Sequence, residues 1–227
     1  MWPVSPTRLL LLLLMVLSAG ADTAVAQMHG NHMRQHSDKS MGSASIDDAI
    51  KQLSSDDPEK RLEAVKVLGT SKNSKATDYL IKAVGDPDVR VQAKAIQMLG
   101  DMRASESTMV LVQCLTLRTT DANMKQLVLA SLGKIGDVRA VPPVIELLQR
   151  ESDAATRGTA IFALGEIGAP ESAGVVERIA QTDEDPAVRR VANEAKSKIE
   201  AHNTTISGDA QGPSEVFLKP SNPRQAR

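Results

Sequence analysis

Aromatic side chains are nearly missing from this chain: its 227 residues hold one Trp, one Tyr and two Phe. A core built around large rings is thereby excluded, and the interior must be assembled from Ala, Leu, Val, Ile and Met. That palette suits thin stacks of helices whose backbones approach closely. Cysteine is equally scarce. The single thiol, Cys114, cannot close an internal disulfide, and its place in the apolar run from Met109 to Leu117 marks it as a small buried hydrophobe. Net charge is close to zero, at −1 with His neutral. No global basic field exists to neutralise phosphates, so nucleic acid is not the expected partner.

What is present is a period of about 32 residues, written five times between Asp57 and Ile199. Asp57, Asp121, Asp153 and Asp185 each stand four residues before a cation (Arg61, Lys125, Arg157 and Arg189), and Asp86 with Arg90 completes the series. Each Asp opens an apolar helical run whose end recurs as Leu68-Gly69, Leu99-Gly100, Leu132-Gly133 and Leu164-Gly165. Apolar residues at three and four spacings, broken by turn signals, predict two helices per repeat. Asp57-Pro58, Asp86-Pro87 and Asp185-Pro186 place an acceptor at the N-cap and a proline where a missing N–H costs nothing. In the second copy Asp86 fits the proline and Asp88 fits the apolar register, which predicts shifted helix ends there. Pro142 and Pro143 read as a helix entry. The fold class is therefore all-α, an α-solenoid of about five stacked helix pairs spanning residues 45–201.

These stretches resemble a known family. "DPDVRVQAKAIQMLG", "GDVRAVPPVIELLQ" and "RGTAIFALGEIG" are similar to HEAT repeats, in particular the short HEAT-like repeats of the phycobilisome lyase type. The resemblance covers about two-thirds of the chain. It implies a solenoid with first helices on the convex side and second helices on the concave side. Functions in that family range from scaffolds to lyase subunits to a metal-dependent hydroxylase, so function has to be argued from sites.

The ends of the chain read differently. Arg8, the apolar run Leu9 to Leu17 and the small residues ending in Ala24-Val25-Ala26 form a secretory signal peptide over residues 1–26. The run is about half the length a membrane helix needs, so no span is expected after cleavage. The mature chain is expected to be secreted or periplasmic. Residues 27–44 and 202–227 are polar segments expected to be disordered. The first of these holds three His and three Met, ligands that suit late transition metals. Gln27, Met28, His29, His32 and His36 are the metal candidates. With cleavage before Gln27, the amine, two backbone amides and the His29 imidazole can form a square-planar site for Cu(II) or Ni(II).

The repeated Asp and basic residues are read as helix caps and their ion-pair partners, not as a catalytic row. The hydroxylase branch of the family uses paired His-Glu ligands on its repeats, and no His lies between His36 and His202. Phosphate-binding loops and nucleophile elbows are missing, and Cys114 has no His in the repeats to activate it. A non-enzyme is expected, one that binds another protein or peptide on the exposed positions of successive second helices. Counting two, five and nine residues from each cap gives Glu59, Leu62 and Lys66; Asn123, Gln126 and Ala130; Ala155, Gly158 and Phe162; Ala187, Arg190 and Glu194. Phe162 stands out as an anchor for an apolar partner, beside Gly158 and Ala130, with Gln126 and Arg190 on the same face. The alternative reading turns Phe162 inward between repeats, and metal binding at the N-terminus is the alternative function.

Overall fold

The computed structural model describes residues 45–71, 73–117 and 120–209, with side chains as far as Thr204. Those residues form ten helices and no strand, in the order expected. They are α1 (45–52), α2 (Pro58–Thr70), α3 (Ser74–Ala83), α4 (Val89–Asp101), α5 (Thr108–Thr116), α6 (Ala122–Ile135), α7 (Val141–Leu148), α8 (Ala154–Ile167), α9 (Ala173–Thr182) and α10 (Pro186–Asp209). One-turn 3₁₀ segments lead into α5, α7 and α9. Signal peptide, metal candidates and the segment beyond Asp209 lie outside the described residues.

Each even-numbered helix starts where a carboxylate can accept from its orphan N–H groups. Asp57, Asp121 and Asp153 accept from the amides of Glu59, Met124 and Thr156, and Asp185 accepts from that of Ala187 at 2.7 Å. The open question in the second repeat resolves in favour of Asp88, which caps α4 through the Arg90 amide. Pro142 and Pro143 sit in the first turn of α7, as expected. The last helix runs past Ala201, where the repeats were expected to end. No glycine or proline interrupts the chain between Pro186 and Gly208, and the Thr204 hydroxyl folds back onto the Glu200 carbonyl at 2.9 Å.

The core is aliphatic throughout. Leu68, Leu99, Leu132 and Leu164 are fully buried one per repeat, with Ile199 as the last of the series. The even-numbered helices stack on one another in sequence, α2 on α4, α6, α8 and α10. The odd-numbered helices pack behind them. The glycine of each Leu-Gly pair does not end its helix; it lies inside the last turns, where the next even-numbered helix comes close. A Cβ built at Gly100 would lie 2.9 Å from the Ser131 Cα, and one at Gly165 2.8 Å from the Ala195 Cα. The sequence pair is thus one knob and one seat: leucine fills the core, and glycine admits the neighbouring backbone at Gly100, Gly133 and Gly165 and the Met98 side chain at Gly69. The true ends of α6 and α8 are Gly136 and Gly168, both in the left-handed conformation at φ 75° and 71°.

Candidate partner-binding face

A ladder of charge ties one repeat to the next. Arg61, four residues after its cap, forms a two-pronged pair with Asp86 at 2.8 and 2.9 Å. Arg157 does the same with Asp183, at 2.9 Å for both prongs. Lys125 reaches Glu151 at 2.8 Å. In every case the acceptor stands two residues before the next cap, and it also accepts from that cap's backbone amide: Asp88 to Asp86, Asp153 to Glu151, Asp185 to Asp183. The remaining N–H groups of Arg61 and Arg157 hold the loop carbonyls of Ser55 and Ser152. The guanidinium of Arg157 holds the Asp183 carboxyl below the usual carboxylate range, and Arg61 does so for Asp86. The repeated Asp and cation therefore act within the structure, but the cation's partner is a second acid upstream of the next cap, a residue that spacing from the cap alone does not reveal.

The second repeat departs from the series. Its cap is Asp88, so the fourth position after it is Gln92, and Arg90 is an exposed residue paired with Asp88 and with Glu59 of the preceding repeat. Where the cation is lacking, between α4 and α6, a recess of about 490 Å³ opens beside Gln92, Leu117 and Cys114. Cys114 is half-buried, not enclosed, and burial pushes its thiol upward from the ordinary range. A raised pKa leaves less thiolate for nucleophilic chemistry.

None of the twelve positions counted from the caps is buried, but Leu62, Gln126, Ala130 and Gly158 are half-buried, and Leu62 packs against the core. Phe162 faces solvent with 44% of its surface exposed, so it does not turn into the core. It forms one wall of an open groove of about 620 Å³ between α8 and α10, with Gly158 and Ala155 beside it and Val188 and Val191 opposite. Asp185 and Glu194 supply two carboxylates to the lining, and no cation joins them. The Lys198 ammonium sits over the Phe162 ring, 4.9 Å from its centre, and pairs with Glu166. Lys198 belongs to the next repeat, thirteen positions after its own cap, and meets Phe162 only through the stacking of α10 on α8.

The other residues expected on this face lie apart from Phe162. Gln126 is half-buried, its amide 3.4 Å from the Asp153 carboxylate and the Thr156 hydroxyl, so it serves the cap of α8. Ala130 is half-buried on α6, and Arg190 is exposed on α10 outside the groove lining. Among the described residues no group of three or more His, Cys, Asp or Glu is placed to hold a metal ion. No described helix is long and apolar enough to cross a membrane.

Gly158 differs from the glycines of the stack. A Cβ at Gly100, Gly133 or Gly165 would press on a neighbouring backbone, whereas one at Gly158 meets nothing within 4 Å. Glycine inside a helix costs about 1 kcal/mol relative to alanine, and packing gives no reason for it here. What it leaves is room in the groove.

Comparison with known proteins accords with this geometry. Stacked helix pairs with capped second helices and an exposed face define a repeat solenoid, and the family model for HEAT repeats matches residues 46–122 and 115–196. The chain belongs to the HEAT-repeat family. A solved structure, the complex of CpcE and CpcF of phycocyanin lyase from Nostoc sp. PCC7120, contains a chain similar to it with a TM-score of 0.56 and 23% identity, over 73% of this chain and 70% of that one. A likeness at that identity shows the fold. Among curated proteins, no sequence gives a significant match. The solved neighbour overturns the expectation of a non-enzyme, which rested on missing motifs: a chain with this solenoid takes part in a phycocyanin lyase, so the lack of familiar catalytic motifs does not exclude catalysis on such a surface.

Proposed function

We propose that this protein binds a segment of another protein in the groove between α8 and α10. The observation that carries the reading is Gly158, a helix-interior glycine with open space above it, next to the exposed ring of Phe162. An aromatic wall, an aliphatic wall and a glycine floor make an apolar slot that a side chain can enter, and aromatic anchors in such slots dominate binding at interfaces. The solved neighbour, itself part of a two-protein complex, supports protein association as a use of this solenoid. The carboxylates of Asp185 and Glu194 favour a partner segment that carries Lys or Arg next to its apolar residue.

The proposal includes export. Residues 1–26 read as a cleavable signal, which would place the repeats in a periplasm or outside the cell, and the terminal sequence of the mature protein tests this directly. Copper or nickel binding by Gln27, Met28 and His29, with His32 and His36 nearby, is a separate proposal resting on sequence alone. A Cu(II) titration before and after His29→Ala checks it.

The test of the groove is affinity capture from the compartment where the mature protein resides, with native chain and Phe162→Ser as paired baits. A protein retained by the first and lost from the second supports the reading. Identical retention by both baits contradicts it.

A further inference from the structure

The groove has a candidate occupant within the chain. We propose that Val216-Phe217-Leu218 docks into the α8–α10 groove of the same molecule and competes there with the protein segment proposed above; the inference rests on that groove being a binding surface.

Three observations converge. The chain has two phenylalanines: Phe162 in the groove and Phe217. Between Ala210 and Arg227 the run Val216-Phe217-Leu218 is the one cluster of large apolar residues. Paired aromatic rings contribute beyond their buried area. Charge points the same way: the groove lining carries Asp185 and Glu194, and the ammonium at its edge, Lys198 over Phe162, is paired with Glu166, while the segment from Ala210 to Arg227 has one acid, Glu215, against Lys219, Arg224 and Arg227. Reach matches as well. Glu194 lies roughly 22 Å along the axis from the end of α10 at Asp209. The seven residues 210–216 cover about 25 Å when extended, which brings Phe217 back to the level of Glu194 and Phe162.

A segment tethered at this distance meets the groove at an effective concentration in the millimolar range for a short linker, so even a weak contact is populated. An external partner must then displace it. Such a device holds an apolar surface covered until a better-matched segment arrives.

The experiment places the photocrosslinker p-benzoylphenylalanine at position 217 of the full chain. After irradiation, crosslinked peptides within single chains are expected to map to Ala155–Phe162 and Ala187–Glu194, and to be lost when Gly158→Leu fills the slot. Crosslinks to other helices, or crosslinks between two chains, overturn the proposal. Capture with Phe217→Ser bait separates the two readings. Crosslinks in the groove with capture indifferent to Phe162→Ser reject the external partner and keep the internal one. Capture sensitive to Phe162→Ser but equal for Phe217→Ser and native bait, with crosslinks elsewhere, rejects the internal one alone.

Discussion

Helix α8 has two faces with opposite demands on the same residue types. Toward the stack it presents Arg157, Ala160, Leu164 and Gly165, all buried and all answered by a neighbour. Toward the groove it presents Ala155, Gly158 and Phe162: Ala155 and Phe162 are exposed, and a Cβ added at Gly158 would meet nothing within 4 Å. Small residues on the first face permit close packing. On the second they preserve empty space. The comparison teaches that alanine and glycine in this repeat cannot be assigned a role from composition; the role depends on whether another backbone lies across from them.

Substitutions on the two faces should separate cleanly. The largest effect is expected for Arg157→Ala, which leaves the Asp183 carboxylate buried without its two-pronged partner. Its side chain is 8% exposed, and breaking such a pair costs about 3 kcal/mol; a chemical denaturation midpoint close to that of the native chain would contradict the ladder. Next come Gly165→Ala and Ala160→Phe, each overpacking the seam by about 1 to 3 kcal/mol, measured as lowered melting temperatures.

Acid should act through the same ladder. The folded-state pKa of Asp183 is depressed, first by its bond to Arg157, and that of Asp137 is held at about 2, first by Arg139. A depressed carboxylate contributes stability above its unfolded value, near 3.9, and that contribution is lost as pH falls through the folded value. Stability should therefore decline between about pH 4 and pH 2. The decline should be shallower in Arg157→Ala, where Asp183 has lost the strongest of the partners that favour its charged form and keeps the Asp185 amide and Arg189. Equal slopes in the two proteins would remove Asp183 from the acid response. On the groove face, Ala155→Phe should leave the melting temperature nearly unchanged, the smallest effect of the series.

Much of this architecture was legible in the sequence because helix caps are local. Asp57, Asp121, Asp153 and Asp185 needed only their own following residues to be recognised, and the register counted from them placed Phe162 on the surface. What escaped the sequence depends on neighbours about thirty residues away. The acid that receives Arg61 or Arg157 lies in the next loop, and the seat that Gly165 provides is visible only with Ala195 opposite. In the second repeat two aspartates competed, and Asp88 won because it sets the buried positions Ala95 and Leu99 in line with the stack. Lys198 on the Phe162 ring is a contact between repeats; its mark in the sequence, an alternation of acid and lysine thirteen positions after successive caps at Asp101, Lys134, Glu166 and Lys198, is read only once the Lys134–Asp101 and Lys198–Glu166 pairs are seen. The groove itself was half legible: an exposed Phe162 was one of two readings the register left open, while the wall of Val188 and Val191 required the structure.

The division of α8 into a packing face and a binding face is tested most directly by Gly158→Leu in the full chain, measured by thermal melting and by capture on the same preparation. A melting temperature unchanged or raised is expected, since helix propensity improves by up to about 1 kcal/mol and a Cβ there meets nothing within 4 Å, together with loss of the captured partner. A melting temperature lowered also in a Phe217→Ser background would show that Gly158 belongs to the packing seam after all, and undiminished capture would show that the groove is not where the partner binds.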